Sequence, residues 1–273
     1  MARGAAFPIL LSLLVISVPA FGQDVLDLSS WDRLLKRFVH DGLVDYHSLS
    51  ESRSELDQYF EEVSSVSEEV LARANREERL AFWLNLYNAA VIRTVLDQYP
   101  VERLDQIPAA FEIRTVRVVG EYFSLAELRD QVLRQGFKDE RLICAIVSGR
   151  MDSPGLLAEA YRGQSLEAQL DGAAQQFAED ESRNRIDPKN KKILLSPLFR
   201  VFGPDFLLNF SSKSESSGFS QTESGVISFL LYHLRNPEKR LFLDSGRYRI
   251  HYLPEDPRLN DVRFKPVLKE SSP

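Results

Sequence analysis

Few residues in this chain have the type and spacing to do chemistry, and they do not form a complete set. Ser148, in Ser148-Gly149, follows an apolar run, and Ser153 sits in the turn Asp152-Ser153-Pro154-Gly155. A serine hydroxyl attacks a carbonyl or phosphoryl centre only when a positioned base takes its proton. The bases on offer are His40, His47, His233 and His251, all remote in sequence from both serines. His47 is the best placed, because the short segment 42–46 before it carries apolar residues that order it. There is no G-x-S-x-G elbow to strain a serine into the open. The competing reading is that Ser148 caps a turn and His47 lies on the surface. No two histidines stand three or four apart, and the one cysteine, Cys144, cannot build a soft site, so no metal is expected. Cys144 lies inside Arg141-Leu142-Ile143-Cys144-Ala145-Ile146-Val147, where an inert buried thiol is expected. No cofactor motif is present in the sequence.

Amides and carboxylates offer recognition without catalysis. Asn85 and Asn88 stand three apart, on one side of an otherwise apolar helix. A buried amide without partners costs about 1–3 kcal/mol. Both must therefore bond to the backbone of a packed loop, such as 42–46 or the turn at Ser153, or else line a cleft. Asp205, Asp256 and Asn260 are candidates for the same ligand-binding role, and Arg200 is expected to pair with Asp205.

The elements that position these residues read as follows. Trp31, Leu34, Leu35 and Phe38 repeat at helical spacing behind a serine cap at Ser29 or Ser30. Weaker helices cover 49–60 and 65–74. Residues 77–99 are apolar on every side, the mark of a core helix, and Pro100 ends it. Alternation predicts a strand over 111–119 and a return at 122–123. Ser124 and Glu127 have capping-box spacing for a helix to about Arg134. The run 142–147 reads as a central strand. A helix over 165–179, a strand at 193–195, a short helix after Ser196-Pro197, a helix over 225–234 and an edge strand at 247–252 complete the chain. The class is α+β: a mainly helical body around a buried central helix, packed on a small, mostly antiparallel sheet containing 111–119, 142–147, 193–195 and 247–252.

The ends and the composition bound the setting. Arg3, the apolar run Phe7 to Val18 and the close Pro19-Ala20-Phe21-Gly22 predict a signal peptide over 1–22, cleaved after Gly22. The apolar run is short of the ~20 residues a spanning helix needs, so no membrane span is expected after cleavage. The expected location is the periplasm or the exterior. Residues 23–273 read as a single domain with a mobile Ser/Gly-rich loop near 210–222. The formal charge of -6 argues against a nucleic-acid partner. An unidentified protein or small ligand of the cell envelope is the expected partner.

The stretch Ala81-Phe82-Trp83-Leu84-Asn85-Leu86-Tyr87-Asn88-Ala89, followed by Tyr99-Pro100-Val101, resembles the segment that marks the domain of unknown function 547. Ser124-Leu125, Leu195-Ser196-Pro197-Leu198-Phe199 with Asp205-Phe206, and Asp256 to Asn260 agree in order. The resemblance implies a fold more than an activity. It also implies losses. Where relatives carry histidines this chain has Asp130 and Ile143, and where they carry cysteines it has Ser148 and Ser153. A thiolate depends on a neighbouring imidazolium, so these departures remove linked parts of one device. They point to a degenerate member that binds or scaffolds without catalysing. The alternative is an envelope hydrolase or transferase working through Ser148 or Ser153 with His47.

Overall fold

A computed structural model describes residues 24–210 and 218–265. The expected signal peptide at 1–22 and most of the expected mobile loop, residues 211–217, lie outside that range.

The apolar stripe of the first helix buries Trp31, Leu34, Leu35 and Phe38 in α1 (Ser29–Phe38). Its entry differs from expectation. Leu28 occupies the cap position, and the Ser29 N–H and hydroxyl donate to Asp27 at 2.9 and 2.6 Å. The hairpin β1 (Val39–His40) and β2 (Leu43–Val44) turns through Asp41 and Gly42, both at positive φ. Glycine is needed at 42 for a second reason: a Cβ there would lie 2.7 Å from the Gly155 Cα. The expected helix 49–60 is two elements, α2 (Tyr46–Ser50) and α3 (Ser54–Ser64), followed by α4 (Glu68–Arg73).

The central helix α5 (Arg76–Leu96) opens on a capping box in which Asn75 and Glu78 satisfy each other's backbone N–H groups at 2.8 and 2.9 Å. It buries residues around its whole circumference, Leu80, Leu84, Ala89, Ile92 and Val95 among them. The apolar side chains packed around it, from Leu28 to Leu259, form one continuous core.

Only the end of the expected strand 111–119 is a strand. β3 (Val116–Val118) pairs antiparallel with β4 (Glu121–Phe123), Val116 opposite Phe123. The Phe111 carbonyl instead accepts from Ala126 N–H at 2.9 Å, so residue 111 belongs to the approach of the next helix. That helix, α6 (Leu125–Glu127), carries the expected Ser124–Glu127 box and continues as a π-helical stretch over Leu128–Gln135.

The expected central strand at 142–147 is not one. Leu142–Ala145 form one turn of helix, α7, Ile146 is extended, and Val147 belongs to no strand. An apolar run this short has no period of its own, and a buried helical turn satisfies it as well as a buried strand. After α8 (Leu166–Glu179) comes a three-stranded sheet in the order β5 (Arg185–Asp187), β6 (Lys192–Leu195) and later β7 (Arg249–Tyr252). β5 and β6 are antiparallel; β6 and β7 are parallel, with Ile193 opposite Ile250. Between them lie α9 (Pro197–Val201), capped by Ser196, then α10 (Gln221–His233) and α11 (Pro237–Asp244). α10 begins at 221 and not 225, because Ser220 and Glu223 form a capping box inside the stretch assigned to the loop. The expected single sheet is thus divided: 116–118 lies in its own hairpin, 193–195 and 249–252 share the three-stranded sheet as expected, and 142–147 lies in none. The class is α+β, a helical body with small, mostly antiparallel sheets.

The last described segment ties remote loops together. Leu104 N–H donates to Pro257 O at 3.1 Å, and Leu259 N–H to Glu102 O at 2.9 Å. Met151 N–H donates to Arg258 O, Asn260 N–H to Gly149 O, and Val44 N–H to Asn260 O, all within 3.0 Å.

Candidate functional site

Asn88 builds the site from inside α5. Its side-chain amide donates to Ala145 O at 3.1 Å and accepts from Val147 N–H at 3.0 Å, as a neighbouring strand would. This holds 146–147 out of the helix where α7 ends and delivers Ser148 to a cleft of about 360 Å3. Gly149 then turns the chain at φ +75, so close to α5 that a Cβ would meet Val91 at 3.3 Å. Arg150, Asp152 and Ser153 follow on the same wall. Tyr87, Ile143 and Ile146 supply apolar floor, and Leu198, Val201 and Phe202 form the facing wall. Arg129, on the π-helical stretch, closes one side beside Phe111.

The two serines differ. Ser153 is 1 % exposed and its hydroxyl donates to Arg150 O at 2.7 Å. Ser148 is half-buried, and no described residue bonds its hydroxyl. None of the four histidines lines the cleft. His40, His47 and His251 are exposed, with His47 Nε2 3.9 Å from Glu51. His233 is buried against the Phe229 ring, and burial pulls its pKa below the usual imidazole value. Cys144 is buried as expected; desolvation, with Glu140 and Asp139 nearby, pushes its thiol far up.

Both guanidinium groups of the cleft are held by carboxylates. Arg129 donates through Nε and Nη2 to Asp130 at 3.0 and 2.7 Å. Arg150 donates through the same pair of nitrogens to Asp152 at 2.9 and 2.7 Å, and through Nη2 to Glu255 at 3.0 Å. Asp130 also accepts from Arg134 at 2.6 Å, and Arg134 forks onto Asp205 at 2.7 and 2.9 Å. Burial opposes ionisation of Asp130, but the bonds from Arg129 and Arg134 outweigh it and hold the carboxyl below its ordinary value. For Arg150 the Asp152 bond is the largest influence and raises its pKa.

The remaining sequence candidates fall elsewhere. Asn85 grips the backbone of Tyr161, accepting its N–H at 2.9 Å and donating to its O at 2.8 Å, and also accepts from Trp31 Nε1 at 3.2 Å. The loops held by Asn85 and Asn88 are therefore 160–161 and 145–147, not 42–46 or the Ser153 turn. Asp205 pairs with Arg134 and not, as expected, with Arg200. Arg200 projects over the Tyr252 ring, 4.0 Å from Glu255. Asp256 lies on a second cleft of about 590 Å3 that shares Asp152, Pro197 and Glu255 with the first. Its carboxylate takes Arg258, and its N–H donates to Asp152 at 2.7 Å. Asn260 accepts from the Tyr46 hydroxyl at 3.0 Å, while its buried Nδ2 has no partner among the described residues. The structure thus brings Ser148 and Ser153 together, puts Asp256 next door, and leaves Asn85, Asn88, Asp205, Asn260 and His47 off the cleft lining. Arg129 and Arg150 are the residues that sequence reasoning missed. The only signal for them was Arg150-x-Asp152 directly after Ser148-Gly149. Among the described residues no cluster of three or more His, Cys, Asp or Glu is placed to hold a metal, and no helix is long and apolar enough to cross a membrane.

Residues 71–178 match the family model described as "Protein of unknown function, DUF547". That stretch is similar to the DUF547 family. The match runs from α4 to the end of α8, so α5, both cleft serines, Arg129 and Arg150 lie within it. The α9 wall, Phe202 and Glu255 come from chain beyond it. No curated protein and no solved structure matches the chain.

Proposed function

We propose that this chain is an exported, non-catalytic binding protein that holds a ligand in the cleft between Arg129, the 145–154 segment and α9. The observation that carries the reading is the state of the two serines: the Ser153 hydroxyl donates its hydrogen bond to a backbone carbonyl, and no imidazole lines the cleft beside Ser148. A serine without a base stays a weak nucleophile. A preformed, largely apolar hollow with a few polar groups is the usual shape of a small-molecule site. On this reading the DUF547 segment has lost its thiol and imidazole positions and kept its recognition surface. The leader-like pattern at 1–22 and the acidic balance support an envelope location and a partner other than nucleic acid.

Treatment of the mature protein with a fluorophosphonate, followed by intact-mass analysis, separates this from the hydrolase or transferase alternative. No adduct at Ser148 or Ser153 is expected. Stoichiometric labelling that disappears in S148A would establish an activated serine and overturn the binding-only reading.

A further inference from the structure

We infer that the cleft takes an amphipathic anion: a carboxylate, sulfonate or phosphate head carried on an aromatic or aliphatic body. This rests on the binding reading above and specifies its ligand. The head group is assigned by Arg129 and Arg150, two guanidinium groups on one cleft, with side chains only 26 and 24 % exposed. A guanidinium carries five N–H donors in a fixed fork. In each residue the edge made by Nε and Nη2 is taken by a carboxylate, Asp130 or Asp152, which fixes the plane of the group. In each, Nη1 is bonded to no described residue, so a pair of oriented donors remains for a guest. Ser148 adds a hydroxyl that no described residue engages.

The acidic groups nearby do not fill this role. Asp130 is shared between Arg129 and Arg134, and Asp152 between Arg150 and the Asp256 N–H. Glu112 is exposed, and Glu255, the remaining carboxylate on Arg150, has a side chain 55 % exposed. Glu255 is therefore the group that an incoming anion displaces. The body of the guest is assigned by the walls. Phe111 and Phe202 stand with ring centroids 5.5 and 5.8 Å from the Arg129 guanidinium, and Tyr87 and Leu198 extend the apolar surface. Charge-assisted bonds from a planar fork at the edge of an apolar hollow select an anionic head over a neutral one.

The test uses two fluorescent probes that differ in the head group, anilinonaphthalene sulfonate and the neutral phenylnaphthylamine, titrated into the mature full chain. The sulfonate is expected to bind about tenfold tighter than the amine. R129Q and R150Q should each weaken the sulfonate more than the amine, so that the preference for the sulfonate falls. E255Q should tighten the sulfonate alone, and L198W, which fills the cleft, should remove both probes. If R129Q does not fold by circular dichroism, R150Q and E255Q carry the comparison. Equal affinities for the two probes, unmoved by R150Q and E255Q but lost in L198W, would overturn the anion assignment and leave the binding cleft standing. Failure of both probes to bind, or binding that L198W leaves intact, would overturn the cleft reading as well.

Discussion

Asn88 shows how one side chain substitutes for a strand. Its carboxamide presents a donor and an acceptor to Ala145 O and Val147 N–H, residues 57 and 59 positions away, and so ends α7 and lays Ser148 on the cleft. Both backbone groups lie in a fully buried stretch, where an unsatisfied polar group costs about 1–3 kcal/mol. N88A should therefore lower stability by about 2–4 kcal/mol, read from urea unfolding at neutral pH. A loss under about 1 kcal/mol would mean that water replaces the amide, and that Asn88 is not what holds the wall. The arginines act at the same scale. Asp130, Arg134 and Asp205 form a chain of ion pairs behind Arg129, and its use is orientation: a part-exposed network adds little net stability, but it fixes where the guanidinium plane lies.

Among the elements, α10 carries a built-in pH response. Its Phe229 packs edge-to-face on Phe206 at 4.8 Å and near Phe199 at 6.2 Å, and His233 in its last turn lies 4.5 Å from the same ring. Burial is the largest influence on His233 and lowers its pKa; Asp171 and Asp139 pull the other way, and Arg141 adds to the lowering. The unfolded chain, with an ordinary imidazole near ~6.5, then binds a proton more readily than the folded one. The contribution of neutral His233 is complete above that value and is lost as pH falls below it. Denaturant midpoints should thus drop between pH 7.5 and pH 5, and H233L should show a smaller drop. Identical pH slopes in the two proteins would remove His233 from the account. α10 also illustrates what the sequence reveals. The buried helix α5 was legible because apolar residues surround it, and the Ser124–Glu127 start because a capping box is a local code. The start of α10 and the whole of α11 were hidden by serine-rich or charged composition, although both carry ordinary caps. The run 142–147 was ambiguous because six apolar residues fit either a turn of helix or a strand. The cleft was half legible. The serines stand out by their neighbours in sequence, whereas the pairing of Arg129 with Phe111 and Phe202, or of Asn85 with Tyr161, exists only once distant segments meet.

At the scale of the whole molecule, the cleft is assembled from sequence-remote regions, and the segment 257–261 anchors one of its walls, the 149–151 loop, to two other loops. Leu259 is fully buried, and its flanking backbone bonds to loops at 44, 102–104 and 149–151. A chain ending at 256 should lose cooperative unfolding and near-ultraviolet circular dichroism, whereas a chain ending at 265 should keep both. A native-like truncation at 256 would show that the core around α5 stands without this seam. The seam also governs when the molecule is finished. Polypeptides emerge amino end first, so the helices around α5 are available long before residues 257–261, yet Gly149 O and Met151 N–H lack their backbone partners until those residues arrive. A nascent chain is then an open shell: it has a core and an unfinished cleft wall. A force applied at the carboxyl end should open the seam at 257–261 and loosen the 149–151 wall first, with the central helix among the last parts to yield.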